Sequence, residues 1–118
     1  MIEIRTGTEA LTESQRLLEA AAYDAGATDF WYFFSVVPLA AVLLATAHDN
    51  AGFADLTAAR DVLAEPAPEL SGAHPGWLSV AQRCPDSSLS SALCSAAALE
   101  PRQRDSFCLS ALDALAHA

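Results

Sequence analysis

An unbroken apolar segment constrains this chain more than any other feature. Residues 30–47 read FWYFFSVVPLAAVLLATA, eighteen residues without a charge that open with five consecutive aromatic side chains. Successive side chains of an α-helix are about 100° apart, so five in a row point in every direction around the axis. A helix with one buried face cannot cover all five rings. The segment is therefore either enclosed by the rest of the protein, or part of it is in contact with a partner or a membrane.

Pro38 lies in the middle of this segment. A proline in a helix interior costs about 3 kcal/mol, and the residue before a proline is biased away from helix. We therefore expect a short aromatic helix that breaks near Val36 and Val37. Pro38 would then be a first-turn residue of a second, buried helix that ends near His48.

A membrane-associated protein is one alternative for residues 30–47. The length is close to the lower limit for a transmembrane helix, and aromatic side chains at one end suit the membrane interface. However, Pro38 interrupts the segment, and its flanks carry Asp29 and Asp49 with no arginine nearby to set an orientation. We therefore expect this segment to pack within a protein.

The rest of the chain alternates between helical periodicity and turn signals, which predicts an all-α fold. We expect one compact domain over residues 1–118, with six or seven short helices around a central apolar helix. Residues 1–6 alternate between apolar and polar side chains, which indicates a short extended segment without an evident partner strand. Besides the apolar segment, the expected elements are helices at 12–25, 53–64, 75–83, 86–99 and 101–117, and a turn at 49–52.

Capping residues support these bounds. Thr12 and Gln15 fit an N-terminal capping box, and Gly26 fits the end of the same helix. Asp86 fits a helix start, and Pro101 fits a first helical turn. Helical periodicity predicts inner faces formed by Leu17, Leu18, Ala21, Ala22 and Ala25, by Phe53, Leu56, Ala59 and Leu63, and by Cys108, Ala111, Leu112 and Leu115.

The charge of the chain is strongly negative. Fifteen acidic residues oppose six basic ones, all arginines, for a net charge of −9. This charge repels phosphate backbones and argues against direct nucleic-acid binding. It favours fast association with a basic protein. We therefore expect another protein, and a basic one, as the partner.

The cysteine pattern and the N-terminal residues indicate a cytoplasmic protein. Three cysteines, at 84, 94 and 108, are an odd number, and we expect each to be a small buried apolar side chain. The first residues, Met-Ile-Glu-Ile-Arg, lack the basic start and apolar core of a signal peptide.

The motifs of the common enzyme and metal sites are absent from the sequence. The cysteines and His74 are at least ten residues apart, whereas zinc ligands come in pairs two to four residues apart. Neither a G-x-S-x-G elbow nor an S-x-x-K motif is present, and a phosphate-binding loop needs the lysine that this chain lacks. We expect no metal, no cofactor and no catalytic residue.

The aromatic segment and the acids near it form the candidate binding surface. Trp31 and Tyr32 are the rings expected at the surface, because each has a polar tip and is favoured at interfaces. The acids expected to form a rim around them are Asp24, Asp29, Asp49 and Asp55. An apolar centre with a charged rim is the layout of a protein–protein contact.

These observations predict a non-catalytic, acidic, helical binding protein that inhibits or neutralises a basic partner. Size and charge fit an immunity protein or antitoxin against a nuclease-type toxin, or an anti-defence inhibitor of a nucleic-acid-handling complex. Carboxylates would occupy the basic groove in which phosphate binds, and the rings would anchor the contact. The alternatives are a homodimeric regulatory or scaffold protein with the aromatic run at the self-interface, and a membrane-associated protein through residues 30–47.

Overall fold

The computed structural model describes residues 2–25, 30–64, 80–98 and 100–116, without the side chains of residues 2, 21–25, 30–34, 64, 97, 101 and 105. Within these ranges, helices predominate and the domain is compact, which confirms the predicted all-α class. The elements are β1 (Ile2–Glu3), α1 (Gly7–Ala25), α2 (Phe30–His48), β2 (Phe53–Ala54), α3 (Leu56–Ala64), α4 (Ser87–Ala97) and α5 (Pro101–Ala116). Residues 80–83 are also helical.

The second half of α2 is the centre of the core. Each residue from Leu39 to Ala47 is at most 8% exposed. Around it pack α1, α3, α4, α5 and β2. This half of the helix is therefore covered in every direction, which explains why its sequence shows an apolar run instead of an amphipathic stripe. The predicted central apolar helix is confirmed for these residues.

The predicted break near Val36 and Val37 is wrong, because α2 continues through Pro38 without interruption. Burial of a leucine such as Leu39 contributes about 1.5–3 kcal/mol. Several buried apolar side chains on this helix therefore outweigh the cost of roughly 3 kcal/mol for an internal proline. Next to the proline, the hydroxyl of Ser14 on α1 donates a 2.7 Å hydrogen bond to the carbonyl of Val36.

α1 begins five residues before the predicted start, and its cap is formed by Thr6 instead of Thr12. The backbone N–H of Glu9 donates to Thr6 Oγ1 at 3.1 Å, and Glu9 Oε1 accepts from the backbone N–H of Arg5 at 3.0 Å. This reciprocal pair is a variant of the capping box. The buried residues of α1 follow helical spacing, and they are Ala10, Ser14, Leu17 and Leu18.

Phe53 and Ala54 form a strand, so the prediction that a helix starts at Phe53 is wrong. β2 pairs antiparallel with β1, and the partners are Ile2 with Ala54 and Glu3 with Phe53. Side chains alternate between the two faces of a strand. Ala54 is accordingly buried, whereas the ring of Phe53 is 39% exposed and not on an inner face.

The C-terminal helices begin where capping signals place them. Asp86 caps α4 by accepting from the backbone N–H groups of Ser88 and Leu89, and α5 starts at Pro101. The hydroxyl of Ser90 on α4 donates to the carbonyl of Ala81 at 2.6 Å. The buried residues of these two helices are Leu89, Leu93, Ala96, Phe107, Ala111, Ala114 and Leu115.

Candidate functional site

The turn that ends α2 positions the side chains of the candidate site. The N–H groups of Asn50 and Gly52 both donate to the carbonyl of Ala47, at 3.0 and 2.7 Å. Ala51 has φ of 58° and Gly52 has φ of 93°, in the left-handed region that closes a helix end of this kind. The turn predicted at residues 49–52 is confirmed, and it holds Asp49 at the surface.

A cleft opens between this turn, the start of α3 and the helical residues 80–83. Its volume is about 330 Å³. The polar residues that line it are Thr46, Asp49, Asn50, Asp55 and Arg83, and the apolar ones are Ala58 and Val62. Two of the acids predicted for the binding rim, Asp49 and Asp55, therefore lie in one cleft.

Asp49 forms an ion pair with Arg83 across the cleft. The distance from Arg83 Nε to Asp49 Oδ2 is 2.8 Å, and the two side chains are 47% and 42% exposed. Exposed pairs of this kind contribute only about 0–1 kcal/mol to folding, because water and salt screen them. The pair shows that the cleft accommodates a guanidinium group beside Asp49.

Asp55 is the N-cap of α3. Its Oδ1 accepts a 2.9 Å hydrogen bond from the backbone N–H of Thr57, and its carbonyl accepts from the N–H of Ala59 at 3.0 Å. An anionic cap is favoured by the partial positive charge at a helix N-terminus. The cap fixes the position of the carboxylate and leaves its charge in place at the edge of the cleft.

Four of the predicted binding residues cannot be placed relative to this cleft. Asp29 lies outside the described residues, and the same is true of the side chains of Trp31 and Tyr32 in the first turn of α2 and of Asp24 near the end of α1. The part of the predicted surface that the structure brings together is therefore the pair Asp49 and Asp55.

Three other polar residues of the cleft were not predicted as site residues from the sequence. Arg83 is 34 positions from Asp49, and only the packing of residues 80–83 brings the two together. Thr46 belongs to the apolar segment, and its hydroxyl donates to the carbonyls of Val42 and Leu43 at 2.9 and 3.0 Å. Asn50 was predictable as a turn residue, and its side-chain amide donates to the carbonyl of Phe53 at 3.0 Å.

The three cysteines are free thiols in different surroundings. Cys84 is buried, Cys94 is exposed and Cys108 is half-buried. Burial raises the pKa of the Cys84 thiol above its ordinary value. Cys108 Sγ lies 3.0 Å from the carbonyl oxygen of Leu63, to which it donates. The prediction that all three are buried is therefore wrong for Cys94, which lies on the outer face of α4.

Within the described ranges, no three His, Cys, Asp or Glu side chains are close enough together to hold a metal ion. Comparisons with protein-family models, with curated proteins and with solved structures give no match. In the part of the chain that the structure describes, none of the helices combines the length and the apolar character needed to cross a membrane.

Proposed function

We propose that this chain is a non-catalytic, acidic binding protein that docks on a basic partner protein and blocks it. The observation that carries the proposal is that Asp49 and Asp55 line one open cleft of a compact helical domain with a net charge of −9. Immunity proteins, antitoxins and anti-defence inhibitors of nucleic-acid-handling proteins are the classes that this profile suggests.

The composition of the cleft suits a basic side chain of a partner. Ala58 and Val62 supply an apolar wall for the methylene groups of an arginine or lysine, whose charged end then reaches the carboxylates. Arg83 already places a guanidinium group 2.8 Å from Asp49. A partner arginine would bind beside this group or replace it, and Asp55 would supply the second carboxylate.

Long-range electrostatics supports the same class of partner. A net charge of −9 accelerates the encounter with a positively charged surface and disfavours binding to nucleic acid itself. A protein that binds nucleic acid presents such a positive surface. An acidic domain that covers it competes directly with the phosphate backbone, so binding and inhibition follow from a single contact.

The experiment uses the partner isolated with the tagged chain from its own cells at low salt. Association rates of the purified pair are measured over a range of salt concentrations for the unmodified chain and for two doubly substituted variants. Asp49→Asn with Asp55→Asn alters the cleft, and Asn keeps the helix-capping role at position 55. Glu19→Gln with Glu100→Gln removes the same charge from exposed positions outside the lining of the cleft.

We expect the cleft variant to associate more slowly than the charge-matched control and to show a weaker salt dependence. We also expect the unmodified chain to prevent the partner from binding or cleaving nucleic acid. An acidic partner, or equal association rates for the two variants, would contradict the proposal.

Trp31 supplies a second test, which concerns the aromatic part of the predicted surface. Trp31→Ala should increase the dissociation rate of the complex about tenfold or more if this ring anchors the partner. The circular dichroism spectrum and the urea midpoint of the free variant should then be unchanged. A variant that is unfolded or strongly destabilised would show instead that the ring belongs to the core.

A further inference from the structure

A second cavity borders the turn that ends α2, and it differs in charge from the acidic cleft. Its volume is about 290 Å³. Ile4, Leu44 and Pro85 form its apolar part, and the remaining lining residues are Arg5, His48, Ala51 and Gly52. None of these lining residues within the described ranges is acidic, although the chain as a whole carries a net charge of −9.

The backbone around Arg5 is held on both sides. The N–H of Ile4 donates to the carbonyl of Gly52 at 2.8 Å, and the N–H of Arg5 donates to Glu9 Oε1 at 3.0 Å. The side chain forms an exposed ion pair with Glu3, with 3.0 Å between Arg5 Nε and Glu3 Oε1. The backbone at Arg5 is therefore ordered before any ligand arrives, which lowers the entropic cost of binding.

Gly52 provides the surface on which the Arg5 guanidinium lies. A Cβ atom at position 52 would be 2.9 Å from Nη1, 3.0 Å from Cζ and 3.3 Å from Nη2 of Arg5. These nearly equal distances indicate that the flat face of the guanidinium packs on Gly52. The backbone φ of 93° also favours glycine here. The edge formed by Nη1 and Nη2 is left available for hydrogen bonds, whereas Nε is already bonded to Glu3.

Hydrogen-bond donors remain in this cavity after the internal contacts are made. Among the described residues, Nη1 and Nη2 of Arg5 have no hydrogen-bond acceptor, and neither ring nitrogen of His48 has a partner. Two nitrogens at one end of a guanidinium match the two oxygens of a carboxylate. The imidazole of His48 supplies a further N–H donor in the same cavity.

We propose that this cavity binds a carboxylate attached to a short aliphatic group. Arg5 holds the two oxygens, His48 donates a further hydrogen bond, and the exposed Pro85 contacts the aliphatic part, with the almost fully buried Ile4 and Leu44 behind it. The volume is at the lower end of small-molecule sites, which begin at roughly 300 Å³, so the aliphatic part is only a few carbons long. A small organic acid and the C-terminal residue of a peptide both carry this chemistry.

The test is a titration of the full chain followed by NMR, with isovalerate and its neutral amide as the first probes. We expect saturable shifts of the Arg5 and Gly52 amide signals with isovalerate and none with isovaleramide. N-acetyl-alanyl-leucine and its C-terminal amide then test whether the carboxylate comes from the end of a peptide or from a free organic acid. Tighter binding of the peptide acid than of isovalerate supports a peptide terminus, and the reverse order supports a free organic acid.

Variants identify the residues responsible. Arg5→Gln should weaken isovalerate binding by about tenfold or more, and Arg5→Lys should have a smaller effect because it keeps the charge without the paired donors. His48→Asn should weaken binding severalfold. Arg16→Gln is the matched control, because Arg16 is another exposed arginine of the N-terminal region that pairs with an acid, Glu13, and it should leave binding unchanged.

Three results would overturn the proposal. The first is a set of shifts that grow linearly with isovalerate and never saturate. The second is equal binding of isovaleramide or tighter binding of inorganic phosphate, which would remove the carboxylate as the recognised group. The third is unchanged binding by Arg5→Gln in a variant whose spectrum shows the native fold.

Discussion

Ser14 on α1 donates a 2.7 Å hydrogen bond to the carbonyl of Val36 on α2. Ser35, the residue before Val36, is equally buried, yet its hydroxyl has no hydrogen-bond partner within the described residues. Ser14 and Ser35 are therefore both fully buried, but among the described residues only the hydroxyl of Ser14 has a hydrogen-bond partner. An unsatisfied hydroxyl contributes its desolvation cost without a compensating bond.

This difference predicts that the same substitution, serine to alanine, has different effects on stability at the two positions. Ser14→Ala should lower the free energy of unfolding by about 1–2 kcal/mol, because a buried hydrogen bond is lost. Ser35→Ala should leave the free energy of unfolding unchanged or raise it, since only an unpaired hydroxyl is removed. Urea denaturation followed by circular dichroism measures both values. Equal losses for the two variants would mean that the Ser14 bond has no net stabilising effect.

Local signals predicted those parts of the fold that depend on a few neighbouring residues. Asp86 and Pro101 mark the starts of α4 and α5, and the turn at 49–52 ends α2 as expected. Asp86 and the turn satisfy free backbone groups of a helix end, and Pro101 lacks the N–H that would be unpaired in a first turn. Such contacts require no partner that is distant in sequence, so the local sequence pattern is sufficient to predict them.

The wrong predictions of secondary structure arise where two sequence signals compete, or where a partner that is distant in sequence determines the structure. Thr6 with Glu9 and Thr12 with Gln15 both fit a capping box, and only the first pair caps a helix. Phe53 fits a helical pattern as well, but pairing with Glu3 makes it a strand residue. That partner is fifty positions away, beyond the range of any local pattern.

The candidate site also contains residues whose position can be predicted from neighbouring residues and residues whose position depends on distant partners. Asp49 is the first residue of a predictable turn, and Asp55 follows six positions later, so their proximity follows from the sequence. The position of Arg83 depends on the packing of residues 80–83 against the end of α2, and no periodicity indicates it. The guanidinium of Arg5 on Gly52 is likewise a product of strand pairing.

Ala51 is a non-glycine residue in the left-handed region, with φ of 58°. A side chain in this conformation costs about 1–2 kcal/mol, while glycine adds about 0.5–1 kcal/mol of chain entropy to the unfolded state. Ala51→Gly should therefore raise the free energy of unfolding by up to about 1 kcal/mol. Ala20→Gly, on the exposed face of α1, should lower it by about 0.5–1 kcal/mol. Thermal and urea denaturation measure the change in the free energy of unfolding for both variants. Destabilisation by Ala51→Gly would contradict the prediction.

Gly7 at the start of α1 lies against the carboxylate that caps α4. A Cβ atom at Gly7 would collide with Oδ2 of Asp86, whose Oδ1 accepts from the N–H groups of Ser88 and Leu89 at 2.9 and 3.1 Å. Gly7→Ala should therefore lower the free energy of unfolding by about 1–3 kcal/mol, although alanine is the better helix former.

Asp86→Ser provides the control, because serine keeps a capping oxygen and lacks the second carboxylate oxygen. In this background, Gly7→Ala should cost much less, so a double-mutant cycle should give a coupling free energy of at least about 1 kcal/mol. Additive effects of the two substitutions would show that no steric contact joins the starts of α1 and α4.

Cys84 is the cysteine whose chemistry should depend on folding. It is buried, and burial raises the pKa of its thiol because the thiolate is poorly solvated there. In native protein, Cys94 should react with Ellman's reagent well before Cys84, because Cys94 is exposed. Cys94→Ser should abolish the fast phase of this reaction. A fast phase that persists in this variant would place a reactive thiol elsewhere.

The raised pKa of Cys84 also predicts the direction of a pH effect on stability. The native state favours the protonated thiol. Its contribution to stability is therefore complete below the pKa of an unperturbed cysteine in the unfolded chain, which is about 8.5. That contribution is lost as the pH rises through the higher native pKa, because the unfolded chain then releases the proton more readily. Between about pH 8 and pH 10, urea denaturation should show a steeper loss of stability for the unmodified chain than for Cys84→Ala. Cys94→Ala is the control and should lose stability with pH as steeply as the unmodified chain. If the stability of Cys84→Ala falls in parallel with that of the unmodified chain, burial does not perturb the Cys84 thiol.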